Sequence, residues 1–288
     1  MTRMAANLAT LLVACQDRKG IVASLAQVLY GHGANILDSD QHSDPIAGMF
    51  FQRLRFDMST LTTDRVSLEN GIKEVGERLS MNFRLSYGAK VRKVALFVSK
   101  QEHCLYDLLI RHRAGELACE VTMIISNHPD AESIAKHFGV PFHHVAVTAE
   151  TKVAAEARAT EMMAEAGIDL IVLARYMQIL SPEFVARWES KIINIHHSFL
   201  PAFVGANPYR QAYEKGVKLI GATSHYVTAD LDQGPIIEQA VARASHRDSV
   251  EDLVRKGRDL EKRVLAQAVR AHLDDRILVY AGKTVVFD

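Results

Sequence analysis

Val94-Ala95-Leu96-Phe97-Val98, five apolar residues in a row, is followed after a polar loop by a helix predicted over Cys104–Arg113. An unbroken apolar run of this length suits a strand covered on both faces. The unit then recurs: Val121–Ser126 precedes a helix over Glu132–Phe138, and an alanine-rich helix over Lys152–Ala166 precedes a strand over Leu170–Ala174. Strands alternating with helices predict an α/β fold, a doubly wound, mostly parallel sheet with helices on both faces. A long helix from Ser249 to Leu273 follows. The chain then ends in a hairpin, Ile277–Tyr280 turning through Gly282-Lys283 into Thr284–Phe287.

Upstream the pattern is different. Leu8–Cys15 reads as a strand, and Ile21–His32 as an amphipathic helix with Val22, Leu25, Ala26, Val28 and Leu29 on or near its buried stripe. Gly33 ends that helix. Strands over Asn35–Ser43 and Met49–Met58, a helix over Asp64–Leu79 and a strand over Asn82–Tyr87 complete the order βαββαβ, that of a ferredoxin-like sandwich. Gly88-Ala89-Lys90-Val91-Arg92 is a polar junction. We therefore expect a small domain over 1–87, a linker over 88–92 and a larger domain over 93–288.

With 288 residues, 48% apolar and 24% charged, the chain has the composition of an ordinary globular protein. Its 34 basic and 34 acidic residues cancel, so a nucleic-acid or membrane surface is not expected. Cys15, Cys104 and Cys119 form no Cys-x-x-Cys pair, which fits reduced thiols and a cytoplasmic location. The N-terminus lacks the apolar core of a signal peptide, and no apolar run approaches a membrane span. The thirteen histidines raise the question of a metal. There is no His-Glu-x-x-His, and His143 and His144 alternate across a strand, so we expect neither metal nor cofactor.

Two stretches carry the chemistry. In Ile193-Asn194-Ile195-His196-His197-Ser198-Phe199-Leu200-Pro201, alternation puts Asn194 and His196 on one face of a strand and turns His197 away. In the second, from His225-Tyr226-Val227 to Asp232-Gln233-Gly234-Pro235-Ile236-Ile237, a strand runs into a loop that offers a carboxylate. Taken singly, a histidine at a strand end is more often structural, Asn194 can satisfy loop backbone, and Asp232 can form an Asx-turn. Together the stretches resemble the signature of the folate-dependent formyltransferases. With Gly205-Ala206-Asn207-Pro208-Tyr209 and Gly221-Ala222-Thr223-Ser224-His225-Tyr226 they look most like its hydrolytic branch, the formyltetrahydrofolate deformylases.

The resemblance implies hydrolysis of 10-formyltetrahydrofolate to tetrahydrofolate and formate, with Asn194, His196 and Asp232 as the catalytic trio and a role in one-carbon metabolism and purine supply. His196 and Asn194 would stabilise the oxyanion, and Asp232 would activate water and pass the proton to the leaving nitrogen. An ordinary aspartate is a poor donor at neutral pH, so desolvation by Leu231, Pro235 and Ile236 is expected to raise its pKa. His225 is placed to orient it. The folate would lie against Tyr176, Met177, Gln178, Ile179 and Leu180, with Gly205 and Val227. A loop merely plugged by Met177 and Leu180 is an equal alternative on pattern alone. Gln178 stands where transformylases commonly carry a basic residue.

Transformylases of glycinamide ribonucleotide carry a glycine-rich phosphate loop after their first strand. Here Val98-Ser99-Lys100-Gln101-Glu102-His103-Cys104-Leu105 has no glycine, which favours water as the nucleophile. Formyl transfer to another amine, and an amino-acid sensor with an inactive second domain, are the competing readings. Asp17-Arg18-Lys19-Gly20-Ile21-Val22 with Gly33-Ala34-Asn35-Ile36 resembles an ACT domain. That implies a small amino-acid effector, glycine or methionine, near Asp17, Gly20, Ile21, Asn35 and Ile36, and a homo-oligomer formed through this domain. Alternatively Asp17 caps the helix and the domain serves assembly.

Overall fold

A computed structural model describes residues 7–201 and 208–288. It divides into two compact units: residues to Val91 with Asp275–Leu278 and Val285–Asp288, and Arg92–Asp274 with Val279–Thr284.

In the first unit the elements are β1 (Leu8–Gln16), α1 (Ile21–Gly31), β2 (Asn35–Asp44), β3 (Met49–Asp57), α2 (Arg65–Leu79) and β4 (Asn82–Tyr87). The strands form one sheet in the order β2-β3-β1-β4, with antiparallel pairing throughout. This is the expected ferredoxin-like sandwich. Leu11, Val13 and Phe56 meet Leu25, Leu29, Leu68 and Ile72 in a core where all are essentially inaccessible. Burial at Ile21, Leu25 and Leu29 sets the stripe of α1, and Val22, one step off it, is exposed. The N-cap of α1 is Gly20 at φ 92°, with no side-chain cap, so Asp17 does not cap this helix. Ile21 is buried, while Asn35 and Ile36 open the edge strand β2. A cavity of about 300 Å³ in this unit is lined by Glu69, Lys73, Phe83 and Tyr87 among others, none of them from the expected effector set.

The C-terminal residues grouped with this unit depart from the expected boundary at 93–288. Arg53, buried on β3, donates from Nε to the carbonyl of Asp275 at 3.1 Å, and Arg84 donates to the carbonyl of Ile277 at 3.4 Å. Period-2 patterning cannot reveal such partners, which lie about two hundred residues away.

The second unit runs β5 (Arg92–Val98), α3 (His103–Arg113), β6 (Cys119–Ser126), α4 (Glu132–Phe138), β7 (Phe142–His144), α5 (Lys152–Ala166), β8 (Leu170–Leu173), α6 (Pro182–Arg187), β9 (Ile192–His196), α7 (Pro208–Glu214), β10 (Leu219–Tyr226), β11 (Ile236–Arg243) and α8 (Val250–Leu273). A two-stranded hairpin, β12 (Ile277–Tyr280) and β13 (Lys283–Val286), ends the chain. The main sheet has the order β11-β10-β9-β8-β5-β6-β7. Its strands β5 to β9 are parallel, and β10 is antiparallel to both neighbours. Val94–Val98 is buried throughout, as a strand covered on both faces must be. From β5 the chain winds outward through β6 and β7, then returns to β8 on the other side. The carboxyl ends of β5 and β8 therefore flank the point where winding reverses, where open α/β sheets have a crevice. The helix α8 starts from a capping box formed by Ser249 and Asp252.

Candidate active site

The register of β9 assembles the first part of the site. Its pairing with β10 sets His225 opposite Asn194 and Thr223 opposite His196. The amide nitrogen of Asn194 lies 3.3 Å from Nε2 of His225. Nδ1 of His225 is 2.9 Å from the carbonyl of Tyr226, which can only accept, so this nitrogen carries the proton.

Asp232 arrives from the loop that follows β10. The chain folds back so that Tyr226 donates its backbone N–H to the carbonyl of Pro235 at 2.9 Å. Gly234 makes this possible, because a Cβ there would sit 1.7 Å from the carbonyl oxygen of Tyr226. Asp232 itself adopts φ 57°, a left-handed conformation that aspartate tolerates better than most residues. Its carboxylate bridges two imidazoles, with Oδ2 at 3.1 Å from Nδ1 of His196 and Oδ1 at 3.6 Å from Nε2 of His225.

The expected rise in the pKa of Asp232 is overturned. Desolvation is the largest single influence and pushes upward. Hydrogen bonds and charge from His196 and His225 together outweigh it and hold the carboxyl well below the usual carboxylate range. The predicted apolar frame is also incomplete, since Leu231 is 56% and Ile236 37% exposed. On the far side of His196, Nε2 is buried and has no hydrogen-bond partner among the described residues. An imidazole held at Nδ1 by a carboxylate thus offers its other nitrogen to whatever occupies the adjoining cavity.

That cavity, of about 460 Å³, is lined by Asn194, His196, His225 and Asp232, and by Tyr176, Met177, Gln178, Ile179, Leu180 and Val227. The structure brings these ten sequence-predicted residues together. Gly205, the remaining one of the folate set, lies outside the described residues. Ser99, buried at the end of β5, accepts the backbone N–H of Met177 at 2.9 Å and donates to Asn127 at 2.7 Å, which ties the Tyr176–Leu180 loop to the sheet. Tyr176 packs edge-on against Phe97, whereas Met177 and Ile179 are more than half exposed.

His197 is a second correction. Strand β9 ends at His196, so alternation no longer applies one residue later. His197 lines the same cavity, with its ring 5.2 Å from that of His196. Burial, and then the nearby Arg175, push its pKa down to about 4, so it is neutral at pH 7.

Sequence reasoning also missed a cluster beside the cavity. Glu261 of α8 is 1% exposed and accepts from Tyr209 Oη at 2.6 Å, while its other oxygen lies 2.8 Å from Nε2 of His103. Burial pushes its carboxyl up, but His103 and Arg175 prevail and hold it below its ordinary value. Oxygen, sulfur and nitrogen atoms of Glu261, Cys104 and His103 lie within 4.8 Å of one another, the grouping nearest to a metal site among the described residues. Both oxygens of Glu261 are already engaged, however, and burial pushes the Cys104 thiol well up, away from the ligating thiolate. An isolated Glu-x-x-x pattern on a helix carries no signal that could have revealed this cluster.

Both parts of the chain have counterparts among known proteins. The formyl transferase family profile matches residues 92–269, and the ACT domain profile matches residues 9–79. A formyltetrahydrofolate deformylase of Synechocystis sp. is 53% identical over 97% of this chain and 98% of its own length. The chain belongs to the formyltetrahydrofolate deformylase family. The crystal structure of a family member from Pseudomonas syringae pv. tomato superposes with a TM-score of 0.94 at 47% identity, covering 98% of this chain and 94% of that one. A glycinamide ribonucleotide transformylase from Symbiobacterium toebii superposes with a TM-score of 0.66 at 32% identity over 69% of this chain and 95% of its own. No described helix is long and apolar enough to cross a membrane.

Proposed function

We propose that this chain hydrolyses 10-formyltetrahydrofolate to tetrahydrofolate and formate, with Asn194, His196 and Asp232 as its catalytic residues and His225 as a positioning residue. The observation that carries the reading is the Asp232 carboxylate, bridged between two imidazoles, beside the unpartnered Nε2 of His196 at the wall of a cavity. The cavity volume falls within the range of small-molecule sites.

Asp232 takes a proton from water as the water oxygen bonds to the formyl carbon. The carbonyl oxygen becomes an oxyanion, held by the N–H of a protonated His196 and by the Asn194 amide. Collapse of the intermediate breaks the bond from carbon to N10, and N10 takes the proton from Asp232. A depressed pKa makes Asp232 a weaker base, but once protonated it is a strong acid well suited to that last transfer. Folate rings would rest on the exposed apolar surface of Met177 and Ile179.

Transfer to an amine is the second reading, supported by the shared fold of the transformylase. The glycine-free segment from Val98 to Leu105 favours hydrolysis. We further propose that the ACT domain binds a small amino acid, glycine or methionine, and that its edge strands β2 and β4 pair between copies. Formate release by purified protein from 10-formyltetrahydrofolate, with and without added amine acceptors, tests the main reading. No formate under either condition overturns it.

A further inference from the structure

Arg175 is an unexpected residue to find at the end of β8. It sits at φ 65°, a conformation cheap for glycine and costly for a side chain with a Cβ. It is 6% exposed, so a guanidinium has been taken largely out of water. Its Nε lies 3.4 Å from Glu261 but has no hydrogen-bond partner among the described residues, and Nη2 donates to Gln101 at 3.2 Å. Glu261 already has hydrogen-bonding partners in Tyr209 and His103, so Arg175 is not needed to satisfy its oxygens. Strain, desolvation and an incomplete hydrogen-bond set oppose this side chain, and the ion pair with buried Glu261 offsets them only in part. A residue kept against such costs points to a role in the site itself.

The lining of the cavity bears on that role. The Tyr176–Leu180 and Val227–Leu231 segments give it a largely apolar wall, whereas Gln101, Arg175 and His197 supply a polar part beside His196. A polar nucleophile needs that part of the cavity. We propose that Arg175 is a specificity-determining residue, whose side chain fills the polar part so that water, and not a primary amine, reaches the formyl carbon. This rests on the hydrolytic reading above. If an amine did reach the carbon, its nitrogen would add to the formyl group and the bond to N10 would break. N10 would take the proton lost by the amine, giving tetrahydrofolate and a formamide with no further reactant.

The test is the ratio of N-formylglycinamide to formate made from 10-formyltetrahydrofolate in the presence of glycinamide. This ratio can be read at any residual rate, and a purely structural role for Arg175 would not move it. Arg175→Gly relieves the backbone and empties the space, and should raise the ratio about tenfold or more. Arg175→Lys keeps a cation near Glu261 but loses the planar head, and should give an intermediate ratio. Ratios in both variants equal to that of the unaltered chain overturn the proposal. If Arg175→Gly does not fold, Arg175→Lys decides alone: a raised ratio supports the proposal and an unchanged one overturns it. Absence of formate from the unaltered chain would instead overturn the hydrolytic reading.

Discussion

Replacing Asp232 by asparagine keeps the size and shape of the side chain while removing its charge and its ability to take a proton. The carboxylate lies 3.1 Å from His196 and 3.6 Å from His225, so the amide would meet two ring nitrogens with only one acceptor oxygen. Two losses then act on one step. Water has no base, and Nδ1 of His196 loses the carboxylate that holds it. General-base catalysis of this kind contributes about 10²–10⁴-fold, or roughly 3–5 kcal/mol of barrier at 1.36 kcal/mol per tenfold. The cavity wall from Tyr176 to Leu180, the proposed folate site, is untouched, so the loss should fall on kcat, with KM little changed. Stopped-assay measurement of formate and tetrahydrofolate at saturating substrate reads this directly. A variant retaining more than about a tenth of parental kcat would refute the assigned role, because the lower limit of the expected effect is about a hundredfold. The same substitution has a signature in stability. Asp232 has its pKa lowered by folding, so its ionised form stabilises the fold above the ordinary carboxylate pKa. That contribution is lost as pH falls through the folded value. The Asp232→Asn chain should therefore be less stable than the parent at pH 7, and the gap should close in acid below the ordinary carboxylate range.

Asn194→Ala removes the proposed oxyanion donor and should lower kcat by about 10²–10³-fold, measured in the same assay; a fall in binding alone would assign Asn194 to the substrate instead. Gly234→Ala places a Cβ 1.7 Å from a backbone oxygen, so the loop carrying Asp232 must shift. We expect a loss of about 1–3 kcal/mol in urea unfolding together with a large fall in kcat, and wild-type values of both would contradict the fold-back geometry. His197 has a folded pKa of about 4, below its unfolded value, so the unfolded chain takes up the proton first as pH falls from about 6.5. Stability should drop across that window by at most about 3 kcal/mol on this account. His197→Gln should flatten the drop in unfolding midpoints between pH 7 and pH 4.5, and an unchanged slope would exclude His197 as its source.

Local pattern made a large part of this molecule legible. The five apolar residues Val94–Val98 became a strand buried throughout, and the order βαββαβ became a four-stranded sandwich, because periodicity records which faces are covered. Alternation was enough to place Asn194 beside His196. It failed at His197, where β9 had already ended. The C-terminal strands were assigned by their position in the chain, yet part of them groups with residues up to Val91 through partners such as Arg53.

The character of Asp232 marks the division most clearly. Its neighbours in the chain, Leu231, Pro235 and Ile236, suggested a desolvated and easily protonated acid. Its neighbours in space are His196 and His225, delivered by the register of β9 with β10 and by the fold-back at Gly234. They make it a strong anion. Arg175 and Glu261, 86 residues apart in number, meet at 3.4 Å beside the same cavity with no pattern to announce them. The sequence by itself determined the two folds, the family likeness and the candidates for the chemistry, since these depend on identity and short-range period. Tertiary structure alone decided their charge states and what shares their cavity, because electrostatic energies follow distance through space and not separation along the chain.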